Sequence, residues 1–260
     1  MVAPEILDAV DMTTPRTPAD FVAWATQKAE ELGATPAAKE YDRSGASLPK
    51  KFYDEIYPLA LFVRGELNEV SDALVQPNLS NDNFDASVVF QDPHRKLFIE
   101  ITRAKDGYDE SLRDEVLARE GRVSVTGPIT KISGRKGALN REVEVQSDTV
   151  LLDEVFAKHL ALVREVVVAK ARRQYGRDFI LLVVVDDYLP FRSESHQSRL
   201  HEVVEGTLLS PDLDFARLVI LGISGKLLLS YRLPRYCGAD DGEQSGGDAR
   251  FRTSCDLLRP

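Results

Sequence analysis

The sequence predicts an α/β fold, a central mixed β-sheet flanked by helices, on three observations. Phe179 to Val185 (FILLVVV) is an unbroken apolar run rich in β-branched residues, the pattern of a strand buried on both faces. Phe52, Ile56, Leu59, Ala60, Val63 and Leu67 recur at three-and-four spacing, which makes one buried stripe of a helix. Between these two segments lie three short apolar stretches separated by turn-rich residues, and then a long helical pattern. Helix, strands, helices, buried strand and further strands in that order describe helices packed on a sheet of mixed direction.

Composition places few limits beyond this. The chain has 260 residues, 43% hydrophobic and 29% charged, enough for a sizeable core. Its longest apolar run is too short to span a membrane, so no membrane partner is expected. The first residues lack a basic region followed by an apolar stretch, so no secretory signal is read there. Two cysteines, Cys237 and Cys255, both in the C-terminal tail, make no disulfide framework, and a reducing cytoplasm is the expected location. A formal net charge of −9 argues against nonspecific nucleic-acid binding over the whole surface, but leaves room for a local basic groove.

Residues 1–49 read as a helical arm and linker, 50–233 as the α/β core, and 234–260 as a tail rich in Gly, Asp and Arg. Within the arm, Thr17-Pro18 followed by Asp20 starts a helix that stops at Gly33. Residues 34–49 read as an extended linker. The first core helix spans about 51–70, with Pro58 near its first turns as a point of late start or kink. Strands follow at 73–77, 84–91 and 97–103, then a helix at 109–120 ending on Gly121.

An inserted β element occupies about 122–147. Its loop, KISGRKGALNR, carries Lys131, Arg135, Lys136 and Arg141, a candidate nucleic-acid arm that lacks aromatics for base stacking and reads equally as a solvated loop. Asp148 is the expected cap of a helix over about 150–175, apolar at first and basic at Lys170, Arg172 and Arg173. The buried strand, a polar helix near 195–205 and strands at 216–223 and 227–233 complete the core.

The chemistry concentrates in NLSNDNFDASVVFQDPHRKLFIEITRAKDG, residues 78–107. If its two apolar segments pair as a hairpin, Asp85 at the start of one lies near Glu100 towards the end of the other. Two carboxylates converging there make a site for a divalent metal. Glu100, inside FIEIT, is a mid-strand charge that needs a partner or a function. Asp85 also reads as a strand-entry or turn residue.

With these residues in place, the chain resembles the PD-(D/E)XK phosphodiesterase superfamily, which has a restriction-endonuclease-like core. The resemblance covers roughly residues 50–233. It implies that Asp85 is the first metal-ligating acid and Glu100 the second, with Glu55 or Glu66 as the further acid on the first helix. It implies Mg²⁺ or Mn²⁺ as cofactor and DNA or RNA as substrate, hydrolysed at the phosphodiester bond. One departure stands out: Glu100-Ile101-Thr102 has threonine where the family places lysine. A hydroxyl carries no positive charge to polarise water or offset charge on a phosphate. Lys105, just beyond the strand, and Lys170, on the later helix, are the candidates to replace it, with Thr102 contacting water or phosphate. Glu55 and Glu66 also read as solvated helix surface.

The alternative keeps the fold without catalysis, as a binding or assembly module that could be a homodimer. Other chemistries find no support. The four histidines do not group with the cysteines at zinc spacing, and no phosphate-binding P-loop, dinucleotide glycine motif or nucleophile elbow is present.

Overall fold

A computed structural model describes residues 6–34, 47–80, 82–92, 94–123, 129–133, 142–145, 151–173, 175–188, 191, 193–208 and 213–233. Element order is α1 (Ala9–Thr13), α2 (Pro18–Ala34), α3 (Ser47–Lys51), a π-helical turn (Phe52–Ile56), α4 (Tyr57–Glu66), β1 (Ala73–Pro77), β2 (Ala86–Phe90), β3 (Arg95–Arg103) and α5 (Gly107–Glu120). Then come β4 (Ile129–Ser133), β5 (Glu142–Val145), α6 (Leu152–Ala171), β6 (Phe179–Val185), α7 (Glu194–Val203), a second π-helical turn (Val204–Leu208), β7 (Arg217–Gly222) and β8 (Leu228–Arg232).

The main sheet has six strands in the order β1-β2-β3-β6-β7-β8. β1, β2 and β3 form an antiparallel meander, β3, β6 and β7 run parallel, and β8 returns antiparallel. The sheet is therefore mixed, as the sequence predicts. Among the described residues β4 and β5 pair with each other, in a separate two-stranded ribbon inside the expected insert.

The doubly buried reading of FILLVVV holds for a simple reason. Alternate residues of β6 serve two cores. Ile180, Leu182 and Val184 join Ile99, Ile101, Val219 and Leu221 against Phe21, Phe52, Leu59 and Phe62. Leu181, Val183 and Val185 join Leu218 and Ile220 against Phe156, Val163, Val167 and Leu200. α2 and α4 thus cover one face, and α6 and α7 the other.

Several boundaries differ from expectation. The first core helix begins earlier, at Ser47, and contains a π turn just before Pro58. Proline has no N–H, and its ring would collide with the carbonyl of residue 54 in a regular α-helix. The Tyr57 N–H instead reaches back to the Phe52 carbonyl, widening the turn that carries Asp54 and Glu55. The N-cap of α6 is Leu151, which makes no side-chain cap hydrogen bond, and Asp148 lies outside the described residues. The arm is docked: Arg16 bridges to Val75 of β1, and its guanidinium stacks on Trp24. Most of the linker, the tail and both cysteines fall outside the described residues.

At the far ends of β6 and β7, Asp187 is only 5% exposed and accepts the Ser224 N–H at 2.8 Å. A Cβ on Gly222 would stand 2.2 Å from Asp187 Oδ2 and 2.4 Å from its Cγ. Gly222→Ala is therefore expected to destabilise the chain by about 1–3 kcal/mol, because a fixed buried carboxylate must move. Urea unfolding reads this as a lower midpoint with unchanged slope. A midpoint equal to wild type would show that Asp187 is not held as described.

Candidate functional site

β3 is longer than its neighbour β2. Ala86 pairs with Ile99, so the strand beyond Ile99 continues without a β2 partner while still pairing with β6 on its other side. Asp85, the residue just before β2, fills the gap. Its N–H donates to the Ile99 carbonyl at 2.9 Å, and its Oδ2 accepts the Ile101 N–H at 2.7 Å. The notch left by the short strand is where the sequence-predicted acids meet.

Phe98, Glu100 and Thr102 share one face of β3, with partners Phe179, Leu181 and Val183 on β6. That face is the one covered by α6. Glu100 is 6% exposed there, and the last turn of α6 lays Lys170 on it, the ammonium donating to Glu100 Oε1. Lys170 thus answers the need of a mid-strand charge for a partner. Thr102 sits on the same face, two residues further along and half-buried. Phe98 stacks on Phe179 at 5.0 Å between ring centroids and meets the tilted ring of Phe84 at 4.8 Å, an apolar row beside the acids.

Glu55, on the π turn, faces Asp85 from the other side of the notch. Burial, then the negative charge of Asp85, pushes its carboxyl up to about 7, while Lys51 opposes the shift. Burial also pushes Asp85 up to about 6. The Ile101 N–H resists this shift, Glu100 adds to it, and Lys170 and Lys51 pull against it. Both shifts are thus set chiefly by burial, with a neighbouring carboxylate adding to each and the lysines opposing it.

The donor chemistry suits a hard cation. With Asp85 Oδ2 taken by Ile101 and Glu100 Oε1 by Lys170, Asp85 Oδ1 and Glu100 Oε2 have no hydrogen-bond partner among the described residues. Mg²⁺ needs only one or two carboxylates, with water and substrate oxygens completing its shell. Among the described residues no three His, Cys, Asp or Glu side chains are grouped to hold a metal ion, so neither Glu55 nor Glu66 joins Asp85 and Glu100 as the expected third ligand. Two carboxylates, Asp85 and Glu100, are what the described residues offer there.

Two other candidates lie elsewhere. Glu66 is at the opposite end of α4 from Glu55 and pairs with Arg217 on β7 at 3.4 Å. Burial raises the Glu66 carboxyl and pulls Arg217 down to about 10, so this is a desolvated strut between helix and sheet. Lys105 turns onto Asp54 at 3.4 Å and Glu110 at 2.6 Å. Asp54 also accepts from Arg103 at 2.7 Å and from Lys50. Lys105 thus helps tie the π turn to β3 and α5, and it is Lys170 that reaches the acids. Lys131 is exposed on β4, while Arg135, Lys136 and Arg141 lie outside the described residues.

The sequence reading missed Lys51, which lies four residues before Glu55. Its ammonium donates to the Leu79 carbonyl at 3.0 Å, on the loop that leads to Asp85. The spacing in KKFYDE was the available signal.

No family model, curated protein or solved structure matches the chain. Among the described residues no helix is long and apolar enough to cross a membrane.

Proposed function

We propose that the chain is a Mg²⁺- or Mn²⁺-dependent phosphodiesterase that hydrolyses nucleic-acid phosphodiester bonds on a restriction-endonuclease-like core. The observation that carries this reading is the placement of Lys170 on Glu100 beside Asp85. The sequence lacks a lysine two residues after Glu100, and a helix from 70 residues downstream supplies one to the same carboxylate. The core order also supports it: helix, three antiparallel strands, a helical crossover and a strand parallel to the third.

Asp85 and Glu100 would hold the cation, with Glu55 behind Asp85. A metal held by these carboxylates would supply an activated water and positive charge for the phosphate. Lys170 keeps a positive charge beside Glu100, where the attacked phosphate gathers negative charge. Thr102 offers a hydroxyl on the same face for water or a phosphate oxygen. The backbone N–H of Ile101 fixes the Asp85 carboxylate, so that ligand needs no reorganisation.

Labelled single- and double-stranded DNA and RNA with Mg²⁺ or Mn²⁺ provide the direct test. Cleavage is expected with wild type and not with the Asp85→Ala, Glu100→Ala double variant. Mn²⁺ is also expected to raise the Tm of wild type by several degrees and leave the double variant unmoved. Equal cleavage by both proteins would overturn the reading. A second reading, a catalytically inactive binding or assembly module, draws on the same ion pair taken as a purely structural contact. It predicts no cleavage and no metal-dependent rise in Tm.

A further inference from the structure

A second lysine, Lys51, lies near enough to the acids for its charge to act on both Glu55 and Asp85. Lys51 is half-buried at the end of α3, with Glu55 on the next turn and the loop to Asp85 under its ammonium. Among the described residues its hydrogen bond goes to a neutral backbone carbonyl, Leu79 O at 3.0 Å, and no carboxylate lies within ion-pair distance of it. The neighbouring cations differ: Lys50, Arg103 and Lys105 all close on Asp54, and Lys170 closes on Glu100. A half-buried ammonium parked on a carbonyl keeps two donors and its full charge for an incoming anion.

We infer that Lys51 is a phosphate-binding residue of this site, holding the nucleic-acid backbone while Lys170 serves the reacting phosphate. The inference rests on the phosphodiesterase reading and divides the two lysines by task. Lys51 ends α3 just before the π turn, and its ammonium holds the strand-entry loop at Leu79 O. Lys170 is packed on the sheet against a carboxylate that is 6% exposed. The pull that Lys51 exerts on both Glu55 and Asp85 agrees with its position near them.

The test uses the full chain, Mn²⁺, and labelled DNA and RNA oligonucleotides over a range of salt. Lys51→Met is expected to raise KM by about tenfold, leave kcat within about threefold, and reduce the salt slope of binding by about one. Lys51→Arg should retain most of the wild-type KM. Lys170→Met should show the reverse split, with kcat falling and KM nearly kept. Lys51→Gln, which can still donate to Leu79 O, guards against loss of the loop brace and should bind as weakly as Lys51→Met. Wild-type KM and salt slope in Lys51→Gln, whether or not Lys51→Met is weakened, would overturn the inference while leaving the phosphodiesterase reading intact. A fall in kcat alone would also overturn it, by giving Lys51 the task assigned to Lys170. Absence of cleavage by wild type would overturn both.

Discussion

Lys170→Met is expected to lower metal-dependent cleavage by about 10²–10⁴-fold, the range for loss of one preorganised charge or proton-transfer group at a reacting centre. The same substitution leaves Glu100, at 6% exposure, without its cation. Stability should fall by about 3–5 kcal/mol, since removing one member of a buried pair strands the other. The two effects can be separated. Combining Lys170→Met with Glu100→Gln removes the stranded charge, so most of the stability should return while cleavage stays at or below the level of Lys170→Met. Urea unfolding and oligonucleotide cleavage on the four proteins of this cycle give both readouts. If the folded double variant cleaved as wild type does, the pair would be a structural strut and the catalytic assignment would fail.

Asp85→Asn should make the metal-free protein more stable at neutral pH while abolishing its response to Mn²⁺. The Asp85 carboxyl is raised from 3.8 to about 6 in the folded chain, chiefly by burial. Between those pH values the folded state holds a proton that the unfolded state has lost. Stability therefore falls as pH rises through the window, and the loss is complete above about pH 6. Asparagine stays neutral and can still accept the Ile101 N–H. At pH 8 the variant should gain about 1–3 kcal/mol, and at pH 4 little or nothing. Thermal melts in chelator at the two pH values would show it, with a destabilised variant at pH 8 as the contrary result. Glu55, raised to about 7, extends the same pH dependence upward in wild type. Bound cation should remove it, and protons should be released on binding near pH 6.

Much of the fold was legible because its cues are local. The stripe through Phe52, Ile56, Leu59 and Val63 names a helix face, and it is buried as read. The run 179–185 names a strand with two covered faces, and β6 has them. Pro58 marked an irregularity, but a π turn rather than a late start had to be seen in the hydrogen bonds of the folded chain. The site was less legible. Asp85 and Glu100 stood out because one opens a strand and the other interrupts an apolar one. Glu55 and Glu66 looked alike on one helix row, yet one faces Asp85 and the other Arg217 on β7. Their difference depends on which part of the sheet passes each end of the helix, and helical periodicity carries no such information.

The sequence by itself determined the element types and order of the core, the mixed sheet and the two acids worth watching, but not the short helix Ala9–Thr13 or the π turns. These follow from periodicity, turn residues and the cost of an apolar strand carrying a charge. Only the tertiary structure decided which cation serves them. Lys105 is five residues from Glu100 and is captured by Asp54 and Glu110, while Lys170 comes from a helix that must cross over the sheet to connect parallel strands. The physical reason is geometric. A strand moves each next side chain away along the sheet or to its other face, so a near neighbour in sequence is a poor partner. A crossover helix returns its last turn over the starting strand and can place a distant side chain on a buried charge.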